Sequence, residues 1–161
     1  MPARRLCVWV SVIAVFAAGL SVGANENWPQ WRGPLGNGIS DSKNLPTTWS
    51  LEKNENIVWK AALPSWSGGT PIIWGDRLVL TCCNADGTQR WIVCVSAIDG
   101  NMIWETIVSK SGPDTTYKWT SNHATASCTT DGKYVFELFR TPGMYSLDFE
   151  GNKIWHHSLG V

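Results

Sequence analysis

An all-β fold follows from three features of this 161-residue sequence. Eleven Trp stand among 15 Gly and 8 Pro, a mixture of strand-forming aromatics and turn-formers. Three similar tetrapeptides recur along the chain: Ile57-Val58-Trp59-Lys60, Met102-Ile103-Trp104-Glu105 and Lys153-Ile154-Trp155-His156, with Trp spacings of 45 and 51 residues. Between them lie short apolar runs separated by Gly-containing turns. With 43% apolar and only 16% charged residues, the chain is not a disordered tail. Lys and Arg (13) balance Asp and Glu (13), so no electrostatic reason for nucleic-acid binding exists.

The elements follow in chain order. Arg4 and Arg5 precede an uncharged stretch, Leu6 to Leu20, and the small residues Ser21-Val22-Gly23-Ala24. A positive start, an apolar middle and a small-residue end match a secretory signal cut after Ala24. The rival is an uncut anchor, because Leu6 to Ala24 as a helix would span roughly 28 Å, marginal for a bilayer. The small-residue end favours cleavage, an exported protein, and no membrane span in the mature chain. The organisation expected is a signal peptide over 1–24, a turn-rich segment over 25–54, and repeats over 55–161.

Each repeat reads as four short strands. In the first unit these are Thr70 to Trp74, Arg77 to Cys83, Arg90 to Val95 and Met102 to Val108, with Leu78, Leu80 and Cys82 on one face of the second. The second unit repeats them at about 124–129, 133–138, 144–147 and 153–158. Gly75, Gly87, Gly100, Gly132, Gly143 and Gly151 mark the turns. Glu55 to Leu63 is expected as the last strand of a neighbouring unit. Four-stranded antiparallel units of 40 to 50 residues predict a β-propeller, here about two blades plus one strand. In that setting Trp59, Trp104 and Trp155 are blade-docking residues, each wedged against the next blade with its indole N–H on a backbone carbonyl. Because propellers close with four to eight blades, the sequence is expected to be the N-terminal part of a longer protein.

These residues support a family resemblance. Ala97-Ile98-Asp99-Gly100-Asn101-Met102-Ile103-Trp104 resembles the docking signature A-x-D-x-x-T-G-x-x-x-W of pyrroloquinoline-quinone-like (PQQ-like) propeller repeat proteins, with three residues deleted. Asp148 through Trp155 resembles it with a shorter turn and Ser146 in the Ala position. The opening Trp28-Pro29-Gln30-Trp31-Arg32-Gly33-Pro34 and the later Leu45-Pro46-Thr47-Thr48-Trp49 are similar to an exported bacterial subgroup. The resemblance implies blade-docking roles for Asp99 and Asp148 beside the three Trp. Family members include quinone-dependent dehydrogenases, assembly scaffolds and proteins with no known ligand. An exported, non-catalytic propeller that binds or scaffolds another molecule is the function expected. The alternative is a dehydrogenase fragment using pyrroloquinoline quinone and calcium. In such enzymes adjacent disulfide-bonded cysteines pack on the cofactor, which would give Cys82-Cys83 that place.

From the residues themselves, Cys82, Cys83, Cys94 and Cys128 are an even count that permits disulfides in an exported chain. Their positions on strands also suit small buried apolar side chains, the preferred interpretation. His156 and His157, adjacent on a strand, point to opposite faces and make a poor metal pair, so no metal site is expected. Asp99, Asp131 and Asp148 sit in turns, where Asp satisfies local backbone donors. Ser127 and His123 form no hydrolase motif, and no catalytic residue is assigned. The connector Ser109 to Asn122 is long for this repeat. Its Tyr117, Lys118, Trp119 and Asn122, with His123 at the exit, form the candidate surface for a protein or glycan.

Overall fold

A computed structural model describes residues 27–110, 123–139 and 142–159. The signal assigned to 1–24 and the surface residues Tyr117, Lys118, Trp119 and Asn122 lie outside the described residues. Among the described residues there is no helix, and none long and apolar enough to cross a membrane.

Two four-stranded antiparallel sheets make up the fold. The first contains β1 (Ile72–Trp74), β2 (Arg77–Cys83), β3 (Gln89–Ser96) and β4 (Met102–Lys110) in that order. The second contains β5 (Thr129–Thr130), β6 (Tyr134–Phe139), β7 (Gly143–Asp148) and β8 (Lys153–His157), again in chain order. Consecutive pairing follows from the short turns between the strands, which allow only hairpins.

The period of two in β2 divides its side chains as the sequence predicts. Leu80 and Cys82 pack with Val93, Leu78 and Trp91 on one face. Val79 and Cys83 face the other way, into the layer between the sheets. That layer joins Ile72, Ile92, Cys94 and Val108 of the first sheet to Cys128, Val135, Phe139, Tyr145 and Leu147 of the second. Burial on both faces explains why β3 reads as a near-continuous apolar run rather than an alternation.

Two expectations change. Residues 57–63 form no strand. A strand needs a backbone partner, and segment 28–54 makes turns and isolated bridges such as Ser50–Glu55 instead of a sheet edge. The first strand of the second unit shrinks from 124–129 to Thr129–Thr130. The backbone ahead of it bonds across to the first sheet, with Gly68 N–H donating to the Ala124 carbonyl at 3.0 Å.

The sheets are locked by tryptophan. Trp104 Nε1 donates to the Phe149 carbonyl of the second sheet at 2.8 Å. Thr106 Oγ1 donates to the Gly151 carbonyl at 2.7 Å, and the Arg77 guanidinium also reaches the Phe149 carbonyl. The Trp104 ring lies on Gly151, where a Cβ would sit 2.7 Å from it, at φ +87. Only glycine meets both the left-handed backbone and the close approach. Trp59 makes the same contact one step earlier: Nε1 donates to the Ala97 carbonyl at 3.0 Å, and the ring covers Gly100.

A β-bulge precedes Trp104 in the first sheet and Trp155 in the second. Cys94 pairs with Trp104 and Val95 with Met102, which leaves Ile103 extra. Ser146 pairs with Trp155 and Leu147 with Lys153, which leaves Ile154 extra. A bulge re-aims the side chain that follows it. Trp155 therefore leaves its sheet as Trp104 does, but on the outward face, where it is 41% exposed and rests on Phe136.

This difference is measurable. Trp104→Ala should cost about 3 kcal/mol in urea unfolding, the low end of the range for a large aromatic, because the ring is partly buried. Trp155→Ala should cost less than about 1 kcal/mol, as expected for a half-exposed ring. Equal effects would contradict the docking geometry.

Candidate functional site

The turns that receive the Trp rings are built by aspartate. Asp99 accepts Asn101 N–H at 3.1 Å and the Asn101 side-chain amide at 2.7 Å. Asp148 does the same for Asn152, at 2.8 and 2.9 Å, and also accepts Glu150 N–H. The Ser96 hydroxyl and then Asn101 hold the Asp99 carboxyl below its usual range. The Asn152 amide does this for Asp148, and the backbone of Tyr134 and Lys133 for Asp131. All three carboxylates are committed to their own turns.

One register assignment is corrected. The sequence places Ser146 in the Ala97 position, but Ser146 lies inside β7, opposite Trp155. The carbonyl equivalent to that of Ala97 belongs to Phe149. The second turn closes between Asp148 and Asn152, one residue shorter than the turn between Ser96 and Asn101, and this moves the receiving carbonyl.

The four cysteines among the described residues are free thiols and all are buried. Burial pushes Cys82 and Cys94 up to about 11 and raises Cys83 and Cys128 as well. Cys82 and Cys83 sit on opposite faces of β2, in separate apolar clusters. His156 stacks on Tyr145 with ring centroids 4.3 Å apart, and its Nε2 lies 2.5 Å from the Pro142 carbonyl. His157 pairs with Met144 on the other face. The ring of His123 packs over Gly87 in the β2–β3 hairpin, where a Cβ would approach it to 2.5 Å. Among the described residues no three His, Cys, Asp or Glu side chains converge as metal ligands.

A site not singled out by sequence lies where the first strands of the two sheets begin. The turn-rich opening segment runs between them. Trp28 exchanges backbone hydrogen bonds with Ile73 at 2.8 and 3.0 Å, and Pro29 accepts Thr130 N–H at 2.9 Å. Opposite, Thr70 N–H donates to Ser127 Oγ at 2.8 Å. Thr81 Oγ1 lies 3.2 Å from both the Ala124 and Ala126 carbonyls. Gly69 is so close to Ala126 that a Cβ would stand 2.3 Å from its carbonyl oxygen. The result is an open cleft of about 360 Å³ lined by Trp31, Gly68, Thr70, Thr125 and Ser127. Trp31 is 63% exposed there. A second cleft, about 580 Å³, is larger but lies within one loop, between Asn44–Thr48 and Asn56–Val58. The sequence signal for the first cleft is a pair of small-residue runs, Ser67-Gly68-Gly69-Thr70 and Thr125-Ala126-Ser127, one ahead of each first strand.

Glu137 is the buried carboxyl of the inter-sheet layer, 1% exposed. Neither of its oxygens has a hydrogen-bond partner among the described residues. Desolvation raises its pKa from 4.5 to about 7. The Cys128 thiol beside it, a weak donor, opposes the shift without reaching bonding geometry. Burial also raises Cys128 and the paired Tyr145, so both stay protonated near neutrality.

A folded pKa above the unfolded one gives stability that is full below about pH 4.5 and lost as pH rises through about 7. The loss amounts to about 3 kcal/mol above that window. Glu137→Gln should therefore raise unfolding free energy at pH 8 and change it little at pH 4. Denaturant titrations at the two pH values check this, and an equal effect at both would contradict it.

No protein-family model matches this chain, and a search of curated proteins finds no match.

Proposed function

We propose that this chain forms consecutive blades of an exported, non-catalytic β-propeller of the PQQ-like kind, which binds or scaffolds another molecule. The observation that carries it is the repeated docking step. Trp59 sits on the first sheet and Trp104 on the second, each on a glycine turn and a backbone carbonyl. Trp155 offers the same group on the outward face. Successive identical steps of this kind generate a ring of sheets.

Two further features support this. Large apolar side chains remain exposed, among them Val58 and Leu63 ahead of the first sheet and Leu138, Ile154 and Trp155 on the second. Exposed apolar side chains clustered on one sheet signal a neighbour. The cleft lies where polar groups from the segments leading into β1 and β5 converge, a usual place for a ligand. Among the described residues its lining carries no ionisable side chain. Pyrroloquinoline quinone needs cationic partners for its carboxylates and an oxygen-rich calcium site, so this cleft does not suit it.

Expressed in a bacterial host with its native start, the protein should leave the cytoplasm and begin at Asn25. In hydrogen exchange, the indole N–H groups of Trp59 and Trp104 should be protected at least about a hundredfold over that of Trp155. Retention of residues 1–24 in the cytoplasm would contradict export, and equal exchange at the three indoles would contradict the stacked blades. Quinone- and calcium-dependent dye reduction would overturn the non-catalytic assignment.

A further inference from the structure

We infer that the cleft between the leading segments of the two sheets binds a neutral glycan, with the Trp31 ring as its stacking platform; this rests on the binding role proposed above. The lining pairs one large exposed aromatic with three hydroxyl side chains, Thr70, Thr125 and Ser127, and the backbone of Gly68. A pyranose ring has the matching chemistry, an apolar C–H face and a rim of hydroxyls. Ser127 Oγ accepts the Thr70 N–H. That bond orients the oxygen and leaves its own proton to donate.

Charge and backbone argue against other occupants. The cation nearest in sequence, Arg32, stacks on Trp31 with its guanidinium carbon 5.5 Å from the ring centroid and donates to the Asn37 carbonyl at 3.3 Å. Among the described residues none of the lining side chains is charged, so none offers a partner to an anion. An extended peptide would add along a strand edge, but the leading strands already pair there with Trp28 and Pro29. A sugar needs neither charge nor an open edge.

Size and rigidity fit as well. A volume of about 360 Å³ suits one or two sugar rings and lies at the lower end of ligand sites. The walls are tied by the Gly68–Ala124 and Thr70–Ser127 hydrogen bonds and by the close approach at Gly69. A site that is already ordered loses less entropy when it binds.

The test uses the full chain labelled at the indole nitrogens, with Trp31→Phe identifying the Trp31 signal. Cellohexaose, xylohexaose, mannohexaose, maltohexaose and chitohexaose are titrated in turn. At least one should shift the Trp31 indole saturably and leave the Trp104 indole in place. Trp31→Ala should weaken that binding at least about tenfold, Thr125→Val about threefold and Trp31→Phe by less than Trp31→Ala. Trp31 is exposed, so its replacement should leave the fold intact. No shift of Trp31 by any of the five sugars at millimolar concentration, or binding indifferent to Trp31→Ala, overturns the inference. Protected Trp59 and Trp104 indoles in that case would mean that only the glycan assignment has failed. Loss of that protection would mean that the stacked-blade proposal has failed instead.

Discussion

The first sheet holds the second through an indole ring laid on a glycine turn. Trp104 brings a large apolar surface and a single N–H donor, and the second sheet meets both needs with Gly151 and the Phe149 carbonyl. A four-stranded sheet alone leaves its apolar faces open to water, and hairpins of this size are marginal without a packing partner. The inter-sheet layer of Val79, Cys94, Val135 and Leu147 becomes a core only because the rings set the two sheets face to face. The aspartate-held turns, the bulges before Trp104 and Trp155, and the glycines with positive φ all serve that placement.

The opening segment supplies a second kind of connection. Trp28 and Pro29 add backbone hydrogen bonds to the first strand of each sheet, so the sheets are joined at their leading ends as well as through the rings. Those bonds occupy the edge positions that would otherwise invite another strand. They also carry the chain to Trp31, beside the small residues that precede β1 and β5. The cleft is thus a by-product of how the sheets are tied together. Its polar lining reflects glycine, serine and threonine chosen for close approach.

Buried polar side chains follow a different logic. Glu137 gains no hydrogen bond from its burial and remains as a neutral acid at low pH or a costly charge at high pH. Ser146 on the outward face is likewise fully buried with its hydroxyl unpaired. Neither the alternation of β6 nor that of β7 distinguishes these positions from ordinary strand residues.

Local patterns in the sequence were sufficient for most of the strands and for the turns between them. Alternation along β2, the Gly-Asn turns after Asp99 and before Lys153, and the repeated Ile-Trp pairs are short-range signals. They follow from a period of two and from backbone conformations that glycine adopts freely. Contacts between distant segments decided the rest. Residues 57–63 have strand-like composition but no partner edge. The shorter second turn handed the receiving carbonyl to Phe149 instead of the Ser146 position. Trp31 meets Thr70, Thr125 and Ser127 only after both sheets have formed, and the acidity of Glu137 depends on a sheet built from other residues. Periodicity and turn chemistry act over a few residues and are written in their order. Burial, hydrogen-bond partnership and the edges of a cleft depend on what packs across from them, and only the folded chain settles that.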